Sequence, residues 1–383
     1  LDKDTGEIML TGKKEDEPRR EKPSAKSAVA LRDEAPAGKA LRWTIHDVAK
    51  LASVSVGTVS RVINGFDNVL PETKTRVQEA IDRLGYTPNV VARSLRQQQS
   101  RTIGLVVPDF ESPFFGELID AIESEAAKVG YGLIVGASRE SAASEQTRFR
   151  EFESRQVEGL LFVASSLSTK TPTQLDVPIV AVDRFMPDID WIGSNNRGGT
   201  KSAIEYLLDL GHRVIGCICG PQELAPARSR LTAFREIMAP IFQEEGLEML
   251  KYIHLGSFNF RGGTTGGVRL MNCDPRPTAI FCSNDEQAVG LFRAAADLGL
   301  HIPRDLSVIG FDNIALAEML SPRLTTVGQP IAELGSRAIL RVLERLRGEG
   351  SAPPSREMLP ATLQLRESCA PPAHRIGQRA ERR

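Results

Sequence analysis

Residues 44–64 read TIHDVAKLASVSVGTVSRVIN, and the rest of the chain is best understood from this stretch outward. Ile45, Val48, Ala49 and Ala52 recur at i, i+3, i+4 and i+7, the spacing of one helical face. Thr44 precedes that face and Asp47 follows three residues later, the pattern of a capping box with Asp in place of the usual Glu. Ser53-Val54-Ser55 breaks the period, and Ser55 is a ready N-cap for a second helix. Val59, Val62 and Ile63 form its apolar stripe, and Asn64-Gly65 stops it. Two short helices about a tight turn outline a helix-turn-helix. The second helix is expected to turn Val56, Gly57, Thr58, Ser60 and Arg61 outward, a small, polar and basic face suited to a DNA major groove.

The surroundings of this motif agree with it. Pro71 suits a first helical position, and Val77, Ala80, Ile81 and Leu84 continue an apolar stripe that Gly85 ends, so a third helix closes a small core. A short segment after Thr87-Pro88 carries Arg93, Leu95 and Arg96 and leads into Gln97-Gln98-Gln99-Ser100. It is too short to hold a helix alone. Between Arg42 and Arg101 the basic residues outnumber the acidic ones, although the whole chain has a net charge of −1. Any DNA-binding field is therefore local. Residues 1–41 mix Lys and Arg with Asp and Glu, show no apolar period and are expected to be disordered.

From Thr102 the pattern changes. Apolar runs such as TIGLVVP, YGLIVGA, GLLFVA, PIVAVD, RVIGCIC, TAIFCS and LSVIGFD alternate with amphipathic helical segments. That alternation predicts parallel sheets covered on both faces, in too many units for one ordinary sheet. Two doubly wound lobes follow, with a ligand expected at the carboxyl ends of their strands. At 383 residues, 41% of them hydrophobic and 25% charged, the chain has the composition of a multidomain globular protein. No apolar run approaches the ~20 residues of a membrane span, and no secretory signal is expected. The five cysteines fit no zinc or redox spacing. Cys217 and Cys219 share one strand face and are expected as buried thiols. Gly262-Gly263-Thr264-Thr265-Gly266-Gly267 lacks the Gly-Lys-Ser/Thr ending of a phosphate loop and is expected to enter a helix. No triad, paired carboxylate site or metal-spaced histidine cluster stands out, so no enzyme and no cofactor are expected.

The strings TIHDVAKLASVSVGTVSRVIN, LGYTPNVVARSL, SPFFGELIDAIE, GHRVIGCICGP, RPTAIFCSNDEQAVG, VIGFDN and LTTVGQP resemble the LacI/GalR family of bacterial transcription regulators. The resemblance runs from about residue 42 to residue 367. It implies an N-terminal all-α helix-turn-helix headpiece at 42–87 and a hinge helix with linker at 88–101. A two-lobed α/β effector domain like the periplasmic binding proteins, built on doubly wound parallel sheets, follows at 102–368. Its N-lobe is expected at about 102–198 with 330–353, its C-lobe at about 199–328 with 356–368, and a disordered tail at 369–383. The tail lacks sustained heptads, so no coiled-coil tetramerisation is expected.

The resemblance further implies a cytoplasmic homodimer on palindromic operator DNA. Val56, Gly57 and Arg61 match the family's main specificity positions, and Arg61 is the strongest base reader, since a guanidinium grips guanine O6 and N7 together. Gly57 stands where some members carry a longer polar residue. Thr44, Ser55, Thr58, Ser60 and Asn64 complete the headpiece set, and Arg93, Leu95 and Arg96 that of the hinge. Leu95 matches the leucine that wedges between base pairs in the minor groove. A small effector, a sugar or sugar derivative, is expected between the lobes. Phe114 and Phe115 match an aromatic pair lining the cleft, Arg228 and Arg230 two positions from which arginine reaches the ligand, and Asp312 the ligand-binding aspartate. Asn284, Asp285, Asp183, Arg184 and Phe258 are further candidates. Leu224 replaces an arginine of a purine-binding member, which weighs against the alternative of a purine- or nucleoside-responsive regulator. A solute-binding protein for transport would have a signal peptide and no headpiece.

Overall fold

The computed structural model describes residues 43–66, 68–87, 99–165, 175–348 and 353–373. They form two compact units, one before and one after residues 88–98. The expected hinge residues Arg93, Leu95 and Arg96, like residues 1–41, lie outside the described residues.

The first unit holds helices α1 (Ile45–Leu51), α2 (Val56–Ile63) and α3 (Pro71–Leu84). Asp47 closes the start of α1 by accepting from the Thr44 backbone N–H at 2.8 Å and from its hydroxyl at 2.7 Å. The turn between α1 and α2 places Ser53 at φ +54, in the left-handed region. Ser55 then caps α2, its Oγ accepting from the Thr58 N–H at 3.1 Å. Gly85 ends α3 at φ +59, where a side chain would be strained. The core consists of Val48, Ala49, Ala52, Val59, Val77 and Ala80. Each buried valine contributes about 1.5–3 kcal/mol, so a core of this size leaves little margin.

The second unit is two lobes on two six-stranded sheets. The first lobe contains β1 (Thr102–Val107), α4 (Pro113–Lys128), β2 (Gly132–Ala137), α5 (Ala142–Ser154), β3 (Gly159–Phe162), β4 (Ile179–Val182) and β5 (Asp190–Ser194). The second contains α6 (Asn196–Leu210), β6 (Ile215–Cys219), α7 (Ala225–Glu244), β7 (Ile253–Leu255), α8 (Phe260–Met271), β8 (Ala279–Cys282), α9 (Asp285–Asp297), β9 (Ser307–Asp312), α10 (Leu316–Met319) and β10 (Thr325–Gly328). Helix α11 (Ile331–Leu346) and strand β11 (Arg356–Leu359) then return to the first lobe, and β12 (Thr362–Gln364) to the second. The strand orders, β11-β5-β4-β3-β1-β2 and β12-β10-β9-β8-β6-β7, repeat one another. All pairings are parallel except β10 with β12.

Two expectations are corrected here and one boundary is located. Residues 356–368 do not belong to the C-lobe as a block, because Arg356–Leu359 pairs with Trp191–Ser194 in the first sheet. The lobe boundary, expected at about 198, falls at the start of α6, which packs on α7, β10 and β12. The tail expected to be disordered from 369 is ordered at its start. Cys369 packs against the second core, and His212 Nε2 donates to the Ala370 carbonyl at 3.0 Å. Residues 374–383 lie outside the described residues.

The glycine string does enter a helix, and its packing role is specific. A Cβ on Gly263 would lie 2.0 Å from the Gln287 carbonyl oxygen and one on Gly290 2.1 Å from that of Phe260, so α8 and α9 touch backbone to backbone. The Cys217 and Cys219 sulfurs lie 3.1 Å apart in the second core, both fully buried, and burial pushes the Cys217 thiol well up.

Candidate functional site

The headpiece presents α2 as a partly committed surface. Gly57 and Arg61 are exposed, and Arg61 has no partner among the described residues. Thr58 Oγ1 lies 2.9 Å from Ser55 Oγ, and Asn64 Nδ2 donates to the Ser60 carbonyl at 2.7 Å. Those side chains hold the ends of the helix. Val56, expected to point outward, is half-buried against the headpiece core. It sits three residues before Val59 and therefore on the same helical side. Thr44 is exposed at the start of α1.

A cavity of about 280 Å³ lies between the lobes of the second unit. Its walls are the carboxyl ends of strands from both sheets, as doubly wound folds dictate. Asp109 follows β1, Glu140 follows β2, Asp183 follows β4, Pro221 follows β6, Asn284 follows β8 and Asp312 ends β9. Phe114 and Phe115, at the start of α4, meet edge to face at 5.4 Å and 68°. The Phe258 ring lies over Gly220, where a Cβ would come within 2.3 Å of it.

Arg230 organises one wall. It is buried, with Nε donating to Asn196 Oδ1 at 2.7 Å, Nη1 to the Ser283 carbonyl, and Nη2 3.6 Å from Asp312 Oδ1. Its guanidinium stands 3.7 Å from the Phe311 ring centroid and 5.8 Å from that of Phe258. Burial pushes its pKa down and the facing Asp312 pulls it back up. Asp312 also accepts from Gln329 Nε2 at 2.8 Å. Burial raises the Asp312 carboxyl from its ordinary 3.8 to about 7, against the pull of Arg230.

Arg184 organises the other wall. It makes a two-pronged bond to Glu140 at 2.8 and 2.7 Å and donates to the Ala164 carbonyl at 2.9 Å. Asp183 beside it is raised by burial, and its Oδ1 has no partner among the described residues. Asp183 and Asp312 both adopt positive φ, +64 and +116. Non-glycine residues held this way concentrate where a side chain must be aimed at a ligand.

The cavity therefore gathers Phe114, Phe115, Asp183, Arg184, Arg230, Phe258, Asn284 and Asp312 from the expected set. Two expected residues are corrected. Arg228 is exposed and donates to the Gln222 and Glu223 carbonyls, both at 2.8 Å. It lies roughly 200° around α7 from Arg230, so the two cannot share a wall. Asp285 is fully buried below the cavity, accepting from Thr326 Oγ1 at 2.5 Å and from the Ile314 N–H at 3.0 Å. It ties α9 to β10 and to the turn after β9. Glu140 and Gln329 were not anticipated. Glu140 sits on a loop at φ +53, where no periodicity marks it. Gln329 follows β10, a strand whose TTVG sequence gave only a weak signal.

Known proteins give the same picture. Residues 44–89 match the sequence profile described as bacterial regulatory proteins, lacI family, and residues 204–369 that of a periplasmic binding protein-like domain. The HTH-type transcriptional repressor CytR of Escherichia coli K12 is 35% identical over 321 residues, covering 82% of this chain and 93% of the relative. A ribose operon repressor of Haemophilus influenzae is 36% identical over 308 residues, covering 79% and 92%. The lac repressor dimer bound to operator and an anti-inducer superposes with a TM-score of 0.75 at 27% identity, over 86% of this chain and all (100%) of that one. A LacI family regulator from Enterococcus faecium with bound ribose superposes at 0.62 and 29% identity, over 70% and 99%. With a helix-turn-helix at its head and a two-lobed body built around a polar cavity, the chain belongs to the lacI family of bacterial regulatory proteins and is a DNA-binding transcriptional regulator.

Proposed function

We propose that the chain represses its target genes as a homodimer on palindromic operator DNA and is switched by a small sugar-like effector held between its lobes. The observation that carries this reading is the cavity itself. Carboxylates at two strand ends, an arginine braced against aromatic rings and an aromatic pair are the groups that grip vicinal hydroxyls and support a sugar ring. The ribose bound to one similar regulator and the cellobiose complexed with another, CelR, support a sugar. Asp183, Arg184, Arg230, Asn284 and Asp312 supply the polar contacts; Phe114, Phe115 and Phe258 supply the apolar ones. On the DNA side, Gly57 and Arg61 face the major groove, and phosphate contacts from Thr44 and Ser55 set the register. Arg93, Leu95 and Arg96 carry the minor-groove contact.

The lobes are joined where the chain passes between them after β5, β10 and β11. Near the cavity mouth, Ser112 Oγ donates to Glu286 at 2.8 Å and the Ala315 N–H donates to Glu117 at 2.9 Å. An effector that fits one arrangement of these contacts better than another shifts the population toward it. Asp312→Ala tests the assignment in an operator-binding assay titrated with candidate sugars. Loss of the charged contact is expected to weaken the effector response by roughly tenfold or more while operator affinity without effector stays within a few-fold. A normal response in that variant removes Asp312 from the site.

A further inference from the structure

The charges and hydrogen bonds of the cavity wall restrict what it accepts more tightly than its size does. Among the cavity-lining residues, carboxylates come from Asp109, Glu140, Asp183 and Asp312, and guanidiniums only from Arg184 and Arg230. Each guanidinium already faces a carboxylate of the wall. Arg230 is engaged by Asn196, Ser283 and Asp312 and stacked on Phe311. Both terminal nitrogens of Arg184 are bonded to Glu140, and one also to Ala164. Two fully buried acceptors of the wall, Asp183 Oδ1 and Gln329 Oε1, have no partner among the described residues. A buried unpaired acceptor is costly, so a ligand that donates a hydrogen bond to it is favoured.

Resting on the reading of this cavity as the effector site, we propose that it selects an uncharged, hydroxyl-rich ligand, and that Glu140 excludes phosphorylated and carboxylate-bearing analogues by holding Arg184. Glu140 is a specificity-determining residue. Its carboxylate faces the cavity and neutralises the one guanidinium of the first lobe that an incoming phosphate would use. Burial already drives Asp183 and Asp312 toward their protonated forms, and an added ligand anion would meet the same penalty. Hydroxyl donors meet acceptors at Asp183, Gln329 and Asp312 instead.

The test uses the full-length chain and inorganic phosphate, followed calorimetrically, beside matched neutral and anionic sugars: D-ribose with ribose 5-phosphate, D-glucose with gluconate. Wild type is expected to bind phosphate weakly. Glu140→Gln, which keeps the shape and removes the charge, is expected to bind it roughly tenfold tighter, because a like-charge juxtaposition has been removed. Glu140→Asp is expected to retain the exclusion, and adding Arg184→Gln to Glu140→Gln is expected to abolish the gain. Equal phosphate affinity in wild type and Glu140→Gln overturns the proposal, as does an anionic sugar that binds wild type better than its neutral parent. If no sugar of either kind binds, the sugar-effector reading fails, and the phosphate comparison still decides the role of Glu140.

Discussion

At the scale of single residues, chemistry and position separate groups that look alike in sequence. Asp285 and Asp312 are both buried aspartates at strand ends, and only Asp312 reaches the cavity. Asp285 instead satisfies Thr326 and Ile314. Arg228 and Arg230 lie two residues apart and divide in the same way. On the headpiece, Arg61 is the exposed cation of α2, while Thr58, Ser60 and Asn64 are occupied in holding the helix. On the proposed reading, base discrimination by α2 concentrates on Arg61. Arg61→Ala is expected to weaken operator binding by about 1–3 kcal/mol and to relax preference at one base position of each half-site. Binding titrations on operator and scrambled duplexes check this; unchanged affinity for both denies Arg61 the readout role.

At the scale of elements, the ends and the pairings matter more than the helix periods. The helix α2 is eight residues long, too short to persist without its cap and its packing. Ser55→Ala removes the oxygen that accepts from the Thr58 N–H. The expected loss is about 1 kcal/mol, read as faster hydrogen exchange at the α2 amides in the full chain. Exchange unchanged from wild type would mean that packing of Val59 alone secures the helix. The period of α3 was legible in sequence, from Pro71 to the stop at Gly85. Strands β5, β10 and β11 were not recognised as strands. They are short, and β11 in particular is half exposed, so no continuous apolar run announces it. Its place in the first sheet depends on register with Trp191 to Ser194, a long-range fact.

At the scale of the whole molecule, buried titrating groups couple folding to pH with opposite signs. Burial lowers His212 from its ordinary 6.5 to about 4, while its ring bonds Thr278 and the Ala370 carbonyl. The unfolded chain then takes up this proton first, so stability falls as pH drops from 6.5 toward 4. Asp312, raised from 3.8 to about 7, does the reverse: the folded chain holds this proton longer, and stability falls as pH rises from 4 toward 7. Each group contributes a slope of at most about 1.4 kcal/mol per pH unit. Melting temperatures measured from pH 4 to pH 7 are expected to separate them. Relative to wild type, His212→Gln should flatten the acid-side loss and Asp312→Asn the loss toward neutrality. Parallel curves for all three proteins would show that neither group titrates as described.

The sequence by itself determined the helix-turn-helix, the alternating α/β body and the family, because these follow from local periods, caps and long specific strings. It also determined most of the cavity, because strand ends in a doubly wound fold converge wherever the strands go. Only the tertiary structure decided which of two neighbouring arginines or aspartates faces the cavity, that Val56 packs half-buried against the headpiece core, that β11 returns to the first lobe, and that Glu140 holds Arg184. Each of these depends on which residues far apart in the chain meet, and on which charges lose their water together. The stretch at 44–64 identifies a DNA reader through local order, and the opposed charges at Glu140, Arg184, Arg230 and Asp312 meet around the cavity only through tertiary contact.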